Sequence, residues 1–197
     1  MKRFLPWIIG IGAILGIILL VVIYSFSVKN SALRKDQDVQ GQWADVEAAY
    51  QRRNDLIQNL VNTVKGAADF EKSTLTAVIE ARSKATSVQV DPTNITPEQL
   101  TQFQQAQSGV SSALGRLLVT VEKYPDLKAN QNFLKLQDEL ASTENQILTA
   151  RTRFNEKVRI YNSYILAAPQ SFFLGSYAQK PFFKSTEGAD KPVEVKF

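Results

Sequence analysis

A chain of 197 residues has room for one membrane anchor and one domain of ordinary size. With neither cysteine nor histidine, it has no disulfide, thiolate zinc site, c-type haem, cysteine nucleophile or imidazole acid, base or ligand, and its redox compartment cannot be read. Its formal charge of +4 owes two units to Lys2 and Arg3; the remainder, 21 basic and 19 acidic residues with no run of five like charges, is a mixed solvated surface rather than a nucleic-acid footprint.

From Phe4 to Val28 there is no charged residue, and "IIGIGAILGIILLVVIY" is almost wholly aliphatic. About 20 apolar residues at ~1.5 Å each cross a hydrocarbon layer of ~30 Å, so residues 1–28 are expected to form a single transmembrane helix. Trp7 and Tyr24 fall near its two ends, at the headgroup level that amphipathic rings prefer. Gly12 and Gly16 have the G-x-x-x-G spacing of helix dimers, so a homo-oligomer is one expectation. The rival reading is a cleaved signal peptide, with Ser25-Phe26-Ser27 as the small-x-small site, but the apolar core is too long for it. Lys2 and Arg3 before the span balance Lys29, Arg34 and Lys35 after it, leaving the side of the domain undecided.

Residues 29–168 read as helices. The first runs from about Asn30 to Lys65, with Trp43, Val46, Tyr50, Ile57, Leu60 and Val64 on one stripe, Arg53 interrupting it, and a turn near Gly66. The second carries Leu75, Val78, Ile79 and Arg82 to about Ser87. "VQVDPTNITPEQL" is a loop ending in a helix start, with Thr96 as N-cap, Pro97 in the first turn and Gln99 completing a capping box. The third helix keeps a heptad spacing through Phe103, Gln107, Val110, Leu114, Leu117, Val121 and Tyr124, which calls for knobs-into-holes packing. Pro125 marks a junction, and the last helix is expected from Asp126 to Ala167, with Phe133, Leu136, Leu140, Thr143, Ile147, Ala150, Phe154, Val158, Tyr161 and Ile165 on its inner face and Pro169 as its stop. The tail, residues 169–197, crowds six aromatics among Gly, Pro and Ser and ends in the alternation Val193, Val195, Phe197. It is too apolar for a disordered end and should dock, on the helices or on a partner.

Two polar stripes flank the apolar faces. Arg52, Asp55, Asn59 and Asn62 line one side of the first helix; Glu144, Arg151, Asn155 and Asn162 line one side of the last. Either they form a binding groove or they are an interhelical network that sets register, and the network is the expected reading. Arg151, Arg153, Lys157 and Arg159 cluster as an exposed face that could meet anionic lipid headgroups. No phosphate-binding loop, dinucleotide fingerprint or nucleophile elbow occurs, carboxylates are not paired, and an oxygen-only site is the one metal chemistry left open. The expectation is therefore no enzyme and no cofactor.

"RRNDLIQNLVNTVKG", "YPDLKANQNFLKLQDELASTENQI", "ARTRFNEKVRIYN" and "KPFFKSTEGADKPVEVKF" resemble, in this order, the blocks of the LemA family of bacterial membrane proteins. One departure stands out: Gln58 occupies a position where that family typically has proline, which leaves the shape near Ile57–Asn59 open. The resemblance implies an antiparallel four-helix bundle behind an N-terminal transmembrane helix, in agreement with the all-α reading. It implies no enzymatic activity, and through a divergent relative in magnetosome membrane formation it suggests a membrane-organising role by analogy. The matching positions Arg53, Asp55, Leu56, Asn59, Tyr124, Pro125, Lys128, Asn130, Glu144, Asn145 and Asn155 are architectural or form a partner surface. The expected function is a single-pass scaffold or adaptor of the bacterial cell membrane, contacting the bilayer and protein partners but not nucleic acid. The alternative is an organiser of the membrane by self-association or anionic-lipid binding.

Overall fold

The computed structural model describes residues 5–66 and 70–184. The described residues are helical, with no strand among them. Helix α1 runs unbroken over Leu5–Lys65. The predicted anchor therefore continues without a break into the helix expected from near Asn30: neither Gly nor Pro occurs between Gly16 and Gly41, and burial against the rest of the chain begins at Val28 and Ala32. Its first part is exposed and, by length and composition, could span a membrane, with a mean hydropathy of 2.7 and none of the most apolar stretch buried. The helix is also regular through Gln58, whose side chain accepts from Arg82 Nη1 at 2.8 Å and so ties α1 to the second helix. Proline could not make that bond.

The turn at Gly66 separates α1 from α2, Lys72–Ser87, which buries Leu75, Val78 and Ala85. Ile79, predicted for the inner face, is 39% exposed; Ala85, one helical repeat beyond Val78, takes the inner position instead. Helix α3, Pro97–Val121, starts with the predicted capping box: Thr96 Oγ1 accepts from Gln99 N, and Gln99 Oε1 from Thr96 N. Phe103, Gln107, Val110, Leu114, Leu117 and Val121 are all buried, as the heptad spacing requires.

Pro125 begins only a single turn, α4, Pro125–Lys128. The long helix α5 starts later than predicted, at Gln131, and ends at Leu166. The reason lies in Asn130, whose extended backbone leaves the helix and whose carboxamide oxygen accepts from Asn132 N at 2.9 Å and Phe133 N at 3.2 Å. These bonds satisfy amides that every new helix start leaves unpaired. Past α5 the Ala168–Pro169 peptide is cis, and Gln170–Phe172 forms one 3-10 turn. The alternation at Val193, Val195 and Phe197 lies outside the described residues.

Helices α1 and α5 pack along much of their length in opposite directions: Val28 faces Tyr164, Asp38 faces Lys157, and Arg53 faces Glu144. Helix α2 packs chiefly on α3. The buried side chains form two clusters. One gathers Val28 to Tyr50 of α1, Leu100 and Phe103 at the start of α3, Ile147 to Ile165 of α5, the loop residues Val90 and Ile95, and Leu174 and Phe183 of the tail. The other gathers Leu56 to Val64 with the inner faces of α2, α3 and the first part of α5.

Candidate functional site

The two clusters meet at one polar layer. Arg53, the interruption in the α1 stripe, is only 2% exposed and sits between Tyr50 of one cluster and Leu56 of the other. Its Nη1 donates to Glu144 Oε1 at 3.0 Å and Ser111 Oγ at 3.3 Å, and its Nη2 donates to Gln107 Oε1. The guanidinium also lies over the Tyr50 ring, 4.9 Å from its centroid. Burial pushes the Tyr50 hydroxyl above its ordinary pKa, against the opposing pull of Arg151 and Arg53. Arg53 Nε has no partner among the described residues. Each helix of the layer thus gives up one apolar position: Arg53 on α1, Gln107 on α3 and Thr143 beside Glu144 on α5. Through these bonds one buried charged donor on α1 is tied to acceptors on both α3 and α5.

The stripe on α5 does something different. Asn155 Nδ2 donates to the Phe183 carbonyl at 3.0 Å while its Oδ1 accepts from Phe183 N at 2.8 Å. Asn162 repeats this with the carbonyl and amide of Lys180, both at 2.9 Å. A carboxamide carries both a donor and an acceptor, so each asparagine satisfies one residue of an extended strap, as a neighbouring strand would. The spacing matches: seven helical residues rise ~10.5 Å, and three extended residues span ~10 Å. Pro181 falls between the two clamped residues, where no amide is needed. Arg151 Nη2 adds a bond to the Lys184 carbonyl at 2.8 Å and covers the Phe183 ring at 4.9 Å.

Clamped in this way, Phe183 enters the core. Its ring stacks on Trp43 at 5.9 Å and meets Phe154 edge-on at 5.3 Å, while Trp43 also touches Phe103. Lys180 crosses to α1 and pairs with Asp36 at 2.8 Å, with both side chains largely covered, and donates to Thr93 O at 3.3 Å in the loop before α3. The strap therefore binds α5, α1 and that loop together. Tyr161, beneath it, donates to Ala178 O at 3.2 Å; burial, then the Asp36 carboxylate, push its pKa to about 12. The tail's docking surface is the chain itself, at least to Lys184. Of the stripe, Arg151, Asn155 and Asn162 thus hold the chain's own tail, while Glu144 joins the Arg53 layer.

The other predicted positions separate. Leu56 is core. Asp55 and Asn59 are exposed on α1: Asp55 accepts from Gln51 at 2.9 Å, and the Asn59 carbonyl accepts from Thr63, so the α1 stripe makes local bonds, apart from the Arg52–Glu139 pair at 2.9 Å. Tyr124, Pro125, Lys128 and Asn130 form the junction at the end of the domain remote from Val28. There Tyr124 meets Phe70 at 4.9 Å, and Lys128 pairs with Glu122. Asn145 is exposed and lines an open groove of about 650 Å³ between α1 and α5, with Arg52, Asp45, Gln146 and Arg153. Of the basic cluster, Lys157 pairs with Asp38 and Arg159 with Glu156, whose carboxyl that contact holds below its usual range. Among the described residues no group of three carboxylates could hold a metal ion. Sequence reasoning missed Gln107 and Lys180. The signal for Gln107 was present, since it is the one polar residue on the α3 heptad face; Lys180 had none.

The chain is 29% identical over 152 residues to Protein LemA of Metamycoplasma hominis, covering 77% of this chain and 64% of that protein. It is 24% identical over 183 residues to Magnetosome protein MamQ 2 of Paramagnetospirillum magneticum and to Magnetosome protein MamQ of Magnetospirillum gryphiswaldense, covering 83% of this chain and 67% of each. The chain thus matches 64% to 67% of the length of these relatives. The model of the LemA family matches residues 42–197, from just before the Trp43 cage through the whole strap, and the chain belongs to the LemA family.

Proposed function

We propose that the protein is a non-enzymatic scaffold or adaptor, anchored once in the bacterial cell membrane through residues 1–28. Its domain, residues 29–168, is read as an antiparallel four-helix bundle of α1, α2, α3 and α5, sealed by the tail from residue 169. The observation that carries this reading is the continuity of α1 from a fully exposed apolar stretch into the domain core, with no flexible linker. A rigid stalk holds the domain at a set height and angle over the bilayer, which suits a platform for other proteins. With the aromatic strap occupied internally, the partner surface is assigned to the polar groove of Arg52, Asn145 and Arg153.

Photo-crosslinking in native membranes tests this, with the probe at Arg153 and then at Asn145. A defined heterologous protein captured at both positions is the expected result; capture of only the chain itself or lipid would remove the adaptor reading. That second outcome would favour an organiser of the membrane acting by self-association or anionic-lipid binding. The MamQ relatives point the same way, and Gly12 and Gly16 lie open to a neighbouring helix.

A further inference from the structure

We propose that the turn between α5 and the strap, residues 166–173, is a second membrane contact, seated at the headgroup level beside the point where α1 leaves the bilayer. This rests on the reading of α1 as a membrane span. The uncharged part of α1, Leu5–Val28, makes about 36 Å of helix at ~1.5 Å per residue against a hydrocarbon layer of ~30 Å, so the turn from Tyr24 to Val28 falls among the headgroups.

The end of α5 is held at that same height. Tyr164 donates its hydroxyl to the Val28 carbonyl at 3.3 Å, and the Phe173 ring meets Tyr24 edge-on at 5.6 Å. Because α5 runs opposite to α1, residues beyond Tyr164 climb toward the bilayer. Its termination at Leu166 and the 3-10 turn Gln170–Phe172 bring the chain over at the Tyr24 level.

The side chains presented there suit an interface and not water. Phe172 is 82% exposed and Leu166 58%, and Phe26, between Tyr24 and Val28 along α1, is 64% exposed. No charged residue occurs from 160 to 179, in a chain that is 21% charged. Lys29 and Arg34 follow the uncharged stretch of α1 as exposed cations, within reach of lipid phosphates. Lys35 instead lies over the Tyr164 ring, 5.1 Å from its centroid. Elsewhere on the domain exposed apolar residues such as Val119 on α3 and Leu134 and Leu148, about four turns apart on α5, do not group together. Two attachment points, a span and an adjacent apolar knuckle, would remove the freedom of the domain to swing about a single helix.

The natural absence of cysteine makes the test direct. The full chain is reconstituted in vesicles of phosphatidylcholine with one third phosphatidylglycerol, carrying one nitroxide-labelled cysteine at a time: Phe172→Cys, Leu166→Cys, Leu148→Cys or Ile14→Cys. Accessibility of each label to oxygen and to a water-soluble nickel complex gives its depth. Labels at 172 and 166 are expected to lose access to nickel while keeping access to oxygen, with 148 open to nickel and 14 deep. If 172 and 166 behave like 148 while 14 is deep, the contact is refuted and the anchor stands. If 14 is itself open to nickel, the anchor reading fails and takes the contact with it. Phe172 and Leu166 are both exposed, so neither substitution removes core packing, and agreement of the two sites guards against a local effect of one label.

Discussion

The two halves of the core share α1, α3 and α5 yet are closed by different means. Beyond Arg53 the cluster around Leu60, Val61, Val78, Val110 and Leu117 is mainly aliphatic and is closed by α2 packed on the greater part of α3. On the Val28 side the buried cluster holds no residue of α2 and is richer in aromatics, with Trp43, Tyr50, Phe103, Phe154, Tyr161 and Phe183 among its aliphatic side chains. There the missing wall is an extended strap. A helix wall satisfies its own backbone and needs only an apolar face. A strap must borrow its hydrogen bonds, and Asn155, Asn162 and Arg151 supply them. Large rings then fill a space that an extended chain, thinner than a helix, would leave open.

The sharpest way to break this contrast is to empty one side at a time. Phe183→Ala should cost about 3–5 kcal/mol, and Leu117→Ala in the other cluster about 2–5 kcal/mol. Hydrogen exchange distinguishes them: Phe183→Ala should speed exchange at 28–50, at 147–165 and at the start of α3 around Phe103 while α2 and the rest of α3 stay protected, and Leu117→Ala should do the reverse. Uniform loss of protection in both variants would show one undivided core, with no boundary at Arg53.

A smaller effect is expected from the clamps. Asn162→Ala strands the buried amide and carbonyl of Lys180, which costs about 1–3 kcal/mol by urea denaturation. Asn155, half-buried, should cost less on the same change. If both substitutions are neutral, the strap is held by Phe183 packing alone.

The smallest effect lies in pH. Tyr161 is held up to about 12 from 10.0, so above pH 10 the unfolded chain releases a proton that the folded chain keeps. Its stabilising contribution is therefore complete below about pH 10 and is lost as pH rises toward 12. Tyr161→Phe should cost about 0.5–1.5 kcal/mol near neutrality through the lost bond to Ala178, and should flatten the alkaline fall in urea midpoint. An unchanged alkaline slope would assign that fall to other groups.

Much of the architecture was legible in residue order. Thr96-Pro97 with Gln99 predicted a helix start that the structure reproduces, because capping depends only on neighbours along the chain. The inner faces of α3 and α5 followed from spacing for the same reason. The error at the start of α5 is also local, but there two signals compete. Pro125 and Asn130 can each start a helix, and which one begins the long helix depends on the burial of Leu127 and Phe133 against the other helices. The candidate site was half legible: Arg53, Glu144 and Asn155 were singled out, but not what each one touches.

By itself the sequence determined that this chain is helical, that an uncharged segment of spanning length precedes its domain, that imidazole and thiol chemistry is absent, and that its blocks are those of the LemA family. These are properties of composition, periodicity and local capping. Only the tertiary structure decided that Arg53 reaches Gln107 and Glu144, and that Asn155 and Asn162 grip residues 28 and 18 positions away. The physical reason is that a polar side chain on a helix advertises a face but not a partner: its bond depends on which distant backbone is brought alongside, and no local pattern encodes that.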